Sequence, residues 1–189
     1  EMCIRDRDTT VYAKWIEKTD LGFTDVADSS PFRAAIGWAV KEGITNGTSA
    51  TTFSPGNTCT TAQILTFLWR ANGSPNSNAA CPASDVAETS PFYKALCWAN
   101  EKDLMTKGSG STPCTRAAAV TYLWKLAGSP KMSVNSSFTD VPASADFAQA
   151  VAWAVEQGVT NGVSASEFAP DSTCTRGQIM TFLYRNLLD

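Results

Sequence analysis

The first clear pattern along the chain is an apolar stripe with helical spacing. Its members stand at positions i, i+3, i+4, i+7 and i+8: Phe32, Ala35, Ile36, Ala39 and Val40. This spacing places them on one face of an amphipathic helix. Gly43 follows the stripe and predicts the end of that helix, because glycine tolerates the left-handed backbone conformation found there. A turn-rich stretch comes next, with Asn46-Gly47 as its tightest point.

A second helix is predicted to begin just after Thr60, where the sequence carries a capping box. The Thr60 hydroxyl can accept a hydrogen bond from an early helix amide, and Gln63 can reach back to the Thr60 amide. The four-residue pattern occurs twice as Thr-x-x-Gln and once as Thr-x-x-Ala, at 60–63, 175–178 and 115–118. We therefore expect the cap at Thr115 to be the weakest of the three.

The helix–turn–helix pattern recurs along the chain. When the chain is shifted by 115 residues (138 minus 23), residues 23–70 align with residues 138–185 without a gap, and more than half of the positions are identical. A more divergent copy lies between them, with a turn region about five residues shorter. Gly-Ser-Pro closes the first two copies at 73–75 and 128–130, which we interpret as linkers.

Each copy is too small to enclose a core of its own. A helix–loop–helix of about 55 residues buries one apolar stripe per helix, whereas three copies side by side can share a core. We therefore predict an all-α fold, a single pseudo-threefold domain of helix–loop–helix units. The units are segment 1 (residues 21–75), segment 2 (76–130) and segment 3 (131–189).

Composition narrows the function classes. The formal net charge is −3, with acidic and basic residues interspersed, which argues against a nucleic-acid surface. No apolar run approaches the roughly 20 residues that a membrane helix needs, so we predict no membrane insertion. The chain has no histidine, which removes His-ligated metal sites and His-dependent nucleophiles. We predict neither a metal nor a cofactor.

The repeated motifs resemble those of a known family. "FTDV", "WAVEQGVTNG" and "FAPDSTCTRGQIMTFLYR" follow one another in segment 3, and close variants recur at the same spacing in segment 1. They resemble the S-layer homology domain, a module that holds bacterial surface proteins on the cell wall and usually comes in three copies. The resemblance implies a three-pronged helical spindle and an extracellular location at the cell wall or S-layer. It also implies that secondary cell-wall polymer, often capped by pyruvylated N-acetylmannosamine, binds in grooves between adjacent copies.

The first twenty residues lie outside this pattern. Residues 1–7, "EMCIRDR", resemble a translated sequencing-adapter artefact, and we expect them not to be native. "DTTVYAKW", within residues 8–20, alternates like a strand and resembles the end of a Listeria/Bacteroides-type β-repeat of surface proteins. We therefore expect an upstream cargo domain in the same polypeptide.

Arg116 and Arg176 are the leading candidates for ligand contact. Each occupies the first position of a predicted helix, where free amides and the helix dipole favour an anion, and a guanidinium fork can hold a carboxylate. The resemblance implies that this Arg is a main ligand contact; the alternative is a solvated surface residue. Thr61 stands at the equivalent position of segment 1 and supplies no charge. One groove is therefore expected to be weak, and Thr61→Arg is expected to add binding.

Four turn residues are further candidates: Asn46, Gly47, Asn161 and Gly162. Their backbone amides could approach a sugar closely, because glycine has no side chain in the way. The alternative is that they only form tight turns. Segment 2 carries Thr106-Lys107 at the corresponding place, so its groove is also in doubt.

Two tryptophans and two aspartates complete the candidate site. Trp38 and Trp153 could stack on sugar faces, although packing between segments is the alternative we favour. Asp25 and Asp140 precede the first helix of their segments. They could orient the groove, although capping of that helix is the alternative we favour.

The chain has six cysteines, which invites a search for disulfides. Cys59, Cys114 and Cys174 occupy equivalent positions, so we expect them to be buried and far apart around the threefold axis. Cys81 and Cys97 occur only in segment 2 and flank its first helix. An extracellular location permits a bridge between them, and we predict a Cys81–Cys97 disulfide.

The leading hypothesis for function is a non-catalytic anchor that binds a cell-wall glycan. One alternative is a surface module that assembles with protein partners, which would be marked by a large uncovered apolar patch. The other is a glycosidase, which needs two carboxylates across a cleft. No acid pair recurs in all three segments outside the Asp-Val motif, so we predict that the chain is not an enzyme.

Overall fold

The computed structural model describes residues 21–134 and 138–187. These residues contain six helices and no strand, which confirms the all-α prediction for this part of the chain. The helices are α1 (Arg33–Lys41), α2 (Thr61–Ala71), α3 (Tyr93–Glu101), α4 (Arg116–Leu126), α5 (Ala148–Glu156) and α6 (Arg176–Leu187). Predictions for residues 1–7 and 8–20 lie outside the described residues.

The predicted starts of α2 and α4 and the predicted end of α1 agree with the structure. In α2, the Thr60 hydroxyl accepts from the Gln63 amide at 3.3 Å and the Gln63 side chain accepts from the Thr60 amide at 3.0 Å. Thr115 accepts from the Ala118 amide at 3.2 Å, but alanine cannot reciprocate. Gly43 lies just beyond α1 with φ of 70°, in the left-handed conformation that the sequence predicted.

The helices pack in a cyclic order. α2 packs against α3, α4 against α5, and α6 returns to pack against α1. The second helix of each segment therefore covers the first helix of the next. The apolar side chains between them form a shared core, with Trp98, Phe53 and Phe168 among its largest fully buried members.

The expectation that the three equivalent cysteines lie far apart is wrong. The Cys59 amide donates to the Cys174 carbonyl at 3.0 Å, Cys114 donates to Cys59 at 2.8 Å, and Cys174 donates to Cys114 at 2.9 Å. The residue before each helix cap thus meets its two counterparts where the segments converge. All three side chains are buried, as predicted. Burial raises the pKa of the Cys59 thiol to about 11 and that of Cys174 to about 12.

The described residues contain neither a membrane-spanning helix nor a candidate metal site. None of their helices has the length and apolar character needed to cross a bilayer. No group of three or more cysteine, aspartate or glutamate side chains within 21–134 and 138–187 is arranged to hold a metal ion.

Candidate functional site

Arg116 of segment 2 reaches into segment 3. It is the first residue of α4, and only 4% of it is exposed. Its Nε atom donates to the Phe168 carbonyl at 2.8 Å. The guanidinium carbon lies 4.8 Å from the centroid of the Phe168 ring and 5.5 Å from that of Phe182. The arginine that begins one segment's second helix is therefore held by the loop and helix of the following segment.

Arg176 repeats this arrangement between segments 3 and 1. It is 5% exposed, and its Nε atom donates to the Phe53 carbonyl at 2.9 Å. The guanidinium carbon lies 4.6 Å from the Phe53 ring centroid and 5.5 Å from that of Phe67, while Nη2 donates to the Thr45 hydroxyl at 3.4 Å. The solvated-residue alternative is excluded for both arginines by their burial.

Both guanidinium groups are buried without a carboxylate bonded to them among the described residues. Burial lowers the pKa of each, whereas the more distant charges of Asp140 and Asp25 raise those of Arg116 and Arg176 respectively. Arginine nevertheless stays cationic in proteins. The Nη2 atom of Arg116 is buried and has no hydrogen-bond partner among the described residues. A buried donor without an acceptor is costly, so this atom is suited to an acceptor supplied from outside.

A cavity of about 490 Å³ opens beside Arg116. We call it the Arg116 groove. It is lined by Phe32, Arg116, a turn of segment 3 and one face of α6. The turn contributes Thr160, Asn161, Gly162 and Val163, and α6 contributes Gln178, Thr181, Phe182 and Arg185. The structure thus brings together three of the predicted site residues, Arg116, Asn161 and Gly162.

The two turn glycines are required by close packing behind the turn. Gly162 has φ of 83°, and a Cβ atom there would lie 2.5 Å from the Phe138 ring and 2.6 Å from the Glu167 carbonyl oxygen. Gly47 has φ of 84°, and its Cβ would lie 2.6 Å from the Thr52 carbonyl oxygen and 2.7 Å from the Phe23 ring. The tight-turn interpretation therefore accounts for both glycines.

The prediction that Asp25 and Asp140 cap helices is wrong. The N-cap residues of α1 and α5 are phenylalanines, and no side chain caps either helix. Asp25 accepts from the amides of Phe53 and Ser54 at 2.8 and 2.7 Å, and Asp140 accepts from those of Phe168 and Ala169 at 2.9 and 2.6 Å. The aspartates thus fix the two loops at Phe53 and Phe168, and the carbonyls of these phenylalanines accept from the arginines.

The same bonds explain the acidity of the two carboxyl groups. Desolvation raises the pKa of each carboxyl group, but the backbone hydrogen bonds and the nearby arginine together lower it by more. The pKa of each therefore lies below its usual value. Since both oxygens of Asp25 and of Asp140 already accept amides, these residues are suited to position the loop rather than to bind a sugar.

Trp38 and Trp153 take part in packing. Trp153 is 5% exposed, and Trp38 is half-buried with its ring 5.7 Å from that of Tyr184 in an edge-on arrangement. Neither lines the Arg116 groove. Their positions agree with the packing alternative.

The position of Thr61 is built differently, and we call its surroundings the Thr61 seam (Thr61, Met105, Gly108, Thr112 and Tyr122). The Thr61 hydroxyl donates to the Thr112 carbonyl at 3.1 Å. Tyr122 stands where the other segments have Phe67 and Phe182. Burial raises the pKa of Tyr122 to about 12.

Other contacts of the arginine sites are also missing from the Thr61 seam. Asp85 accepts from the Gly110 amide at 2.7 Å, as Asp25 and Asp140 accept from those of Phe53 and Phe168, so a glycine replaces the loop phenylalanine. Met105 stands where the other two segments have a threonine. Ala83 replaces the aromatic residue of the "FTDV" motif. Since Ala83 and the loop glycines are small, the backbone of the two stretches comes close enough for the Gly108 amide to donate to the Pro82 carbonyl at 3.3 Å.

The aromatic residues around the arginines were missed as site residues. A signal was present, because Phe53 and Phe168 recur at one position of the repeat and Phe67 and Phe182 at another. The sequence repeat does not show which segment's phenylalanine contacts which segment's arginine, because that pairing depends on the packing order of the helices.

Two stretches of the chain are similar to a known family. Residues 22–64 and 137–180 match the family model of the S-layer homology domain. Domains of that family are non-catalytic, bind cell-wall polymers and anchor surface proteins to the bacterial cell wall. The matched residues include both turn glycines, Gly47 and Gly162, as well as Arg176. No curated protein matches the chain.

Proposed function

We propose that the chain is a non-catalytic module, built as a spindle of three S-layer homology repeats, that binds an anionic glycan of the bacterial cell wall between its segments. Its ligand is the secondary cell-wall polymer, and the module tethers an upstream cargo domain at the cell surface. The observation that carries this proposal is the buried, unpartnered Nη2 atom of Arg116 beside an open groove.

The charge of the groove favours an anionic sugar substituent. Arg116 and Arg185 both line it, and no acidic residue does. A pyruvyl ketal or a uronate supplies a carboxylate that can accept from the free Nη2 atom of Arg116. Hydrogen bonds to charged groups contribute about 1.5–3 kcal/mol each, and a low-dielectric site strengthens them. The ligand thus supplies the counter-charge that the protein lacks there.

The alternatives receive less support. A glycosidase needs a carboxylate pair across its cleft, and the lining of the Arg116 groove contains none. An assembly module needs a broad apolar patch. Among the described residues, the large exposed hydrophobic side chains are Val155, Val163 and Leu187, and Val163 belongs to the groove. Turnover of a wall fragment by the purified chain would nevertheless favour the enzyme.

We propose that two grooves bind glycan rather than three. In the sequence, the altered loop of segment 2 and the missing arginine at Thr61 belong to different segments. In the structure, each arginine position is completed by the loop of the next segment, so both changes fall in the Thr61 seam. The Arg116 and Arg176 sites both keep an Asn-Gly turn, a stacked phenylalanine and a buried guanidinium.

Thr61→Arg is accordingly expected not to add binding, which reverses the expectation from the sequence. The new guanidinium would meet the Tyr122 hydroxyl and would lack the stacked phenylalanine and the threonine that serve Arg176. Overpacking and an unpaired buried charge should lower the free energy of unfolding by about 1–3 kcal/mol. Denaturant unfolding and wall affinity measure the two effects, with Thr61→Ala as the control for loss of the hydroxyl. Tighter binding by Thr61→Arg would contradict the two-groove proposal.

Co-sedimentation with Gram-positive-type wall sacculi tests the function itself. The full chain is mixed with intact sacculi and with sacculi whose secondary polymer has been extracted with acid. We expect the chain to pellet with the intact walls and to stay in the supernatant with the extracted walls. Equal binding to both would mean that peptidoglycan or a wall protein is the ligand, and the glycan proposal would then be abandoned.

A further inference from the structure

Segment 2 begins with a stretch that lies along its own first helix. We call residues 76–83 the strap. The Ser77 hydroxyl donates to the Cys97 carbonyl in α3 at 3.2 Å, and the Asn100 side chain donates to the Ala80 carbonyl at 2.9 Å. These bonds place Cys81, near the end of the strap, beside the exposed edge of α3.

The strap and α3 each contribute one cysteine, Cys81 and Cys97. Cys81 is half-buried and Cys97 is buried. Burial raises the pKa of Cys97, and the Cys81 thiol raises it further. Both cysteines are free thiols in the structure.

Segment 1 shows independently that these two positions touch. Leu21 and Gly37 are the equivalents of Cys81 and Cys97, sixty residues earlier in the sequence (81 minus 21, and 97 minus 37). A Cβ atom added at Gly37 would lie 3.1 Å from Leu21 Cδ2. The backbone of the repeat therefore brings the two side chains into contact, and segment 2 has a cysteine at both places.

We propose that Cys81 and Cys97 are a modification site, a thiol pair that is oxidised to a disulfide and then clips the strap to α3. The proposal depends on the proposed function only through the extracellular location, which permits disulfides. The half-buried Cys81 thiolate attacks a sulfur of a low-molecular-weight disulfide such as oxidised glutathione, releasing one glutathione thiolate. The Cys97 thiolate then attacks the Cys81 sulfur and releases the second. The two protein thiols lose two protons and two electrons, and the glutathione disulfide gains them.

The clip compensates for what segment 2 has lost. In segments 1 and 3, an aromatic pair ties the start of the segment to its loop, with ring centroids 5.7 Å apart for Phe23 and Phe53 and 5.9 Å apart for Phe138 and Phe168. Segment 2 has Ala83 and Gly110 instead, and its strap holds the loop through a bond from the Gly108 amide to the Pro82 carbonyl. Fastening the strap at Cys81 therefore also holds the closed Thr61 seam.

The other described cysteines are in a different environment. Cys59, Cys114 and Cys174 are at most 1% exposed, and burial raises the pKa of all three thiols. Thiols that are buried and protonated react slowly with oxidants, because the thiolate is the reactive form. Cys81 is half-buried and therefore reacts first, and Cys97 follows because it lies beside Cys81, whereas none of these three has a half-buried cysteine beside it among the described residues.

Tryptic mapping of the full chain tests the proposal directly. The chain is purified without reductant, equilibrated with oxidised glutathione, alkylated and digested. Cleavage after Arg70, Lys94 and Lys102 separates the two cysteines into peptides 71–94 and 95–102. We expect these peptides to appear as one linked species, two hydrogen atoms lighter than their sum, that separates on reduction. Recovery of both peptides alkylated at cysteine would overturn the proposal.

Thermal unfolding supplies a second, independent measurement. Reduction opens the loop that the disulfide closes between residues 81 and 97. Adding reductant should therefore lower the Tm of the oxidised protein by on the order of 5–10 °C. Cys81→Ser should show the lower Tm with and without reductant. An unchanged Tm on reduction would mean that the strap is not clipped. Neither measurement involves the wall, so failure of glycan binding and failure of this proposal are distinguishable.

Discussion

Replacing both Arg116 and Arg176 by alanine is expected to abolish sedimentation of the chain with polymer-bearing sacculi. Each substitution removes charge-assisted hydrogen bonds to the ligand, and a loss of about 1.5–3 kcal/mol corresponds to roughly 10–150-fold in the Kd of one groove. Each single variant keeps one complete groove and should bind with reduced avidity, because two linked sites bind a polymer more tightly than either alone. Binding isotherms on intact sacculi measure the affinities of the double variant and of the two single variants.

The equivalent position in segment 1 provides the matched control. Thr61→Ala changes the corresponding residue at the start of α2 but touches a site without a guanidinium, so its wall affinity should equal that of the unmodified chain. Arg116→Lys separates charge from geometry, since lysine keeps the charge and loses the planar fork. Because Arg116 also donates to the Phe168 carbonyl, circular dichroism must show that each variant is folded. Unimpaired binding by the folded double variant would remove both arginines from the site.

Gly162→Ala is expected to be the most destabilising glycine-to-alanine substitution in the described part of the chain, because the added Cβ makes the shortest contacts there. The new Cβ would lie 2.5 Å from the Phe138 ring and 2.6 Å from the Glu167 carbonyl oxygen, at a φ of 83° that alanine disfavours. Strain and overpacking together should lower the free energy of unfolding by about 2–5 kcal/mol. Displacement of the 160–163 turn should also weaken the Arg116 groove and leave the Arg176 site intact.

Gly158 offers a control that isolates the steric part of this effect. It has φ of 67°, also in the left-handed region, but no atom lies within 4 Å of the position of its Cβ. Gly158→Ala should therefore cost only the conformational term of about 1 kcal/mol. Denaturant unfolding of the two variants measures the difference. If Gly162→Ala were no more destabilising than Gly158→Ala, the close packing behind the turn would not limit this position.

Several features of the fold could be predicted because they depend on neighbours in the sequence. The capping box at Thr60 and Gln63 places donor and acceptor three residues apart, so it specifies the start of α2 without reference to the rest of the chain. The apolar stripe of α1 and the glycine after it depend on helical periodicity in the same way. The start of α1 was less clear, because Phe32 belongs to the stripe but forms the N-cap and not the first turn.

The roles of the aspartates and cysteines could not be predicted from such local patterns. Asp25 is close in sequence to α1, and capping was the nearest available role, yet its partners are amides 28 residues away or more. Symmetry-related residues lie far apart only when they are distant from the axis, and the sequence does not give the distance of the equivalent cysteines from it. In the structure they lie where the segments converge, since their backbone amides and carbonyls pair with one another.

The sequence by itself determined the helices, the cap of α2 and the internal similarity between stretches of the chain. These follow from spacings of a few residues and from comparison of one stretch of the chain with another. The tertiary structure alone decided which residues share a site. Because α6 packs against α1 and α4 against α5, Arg176 is completed by Phe53 and Arg116 by Phe168, while Thr61 meets the altered loop of segment 2. Contacts between segments depend on how helices with similar apolar faces are ordered around a shared core, and no local pattern specifies that order.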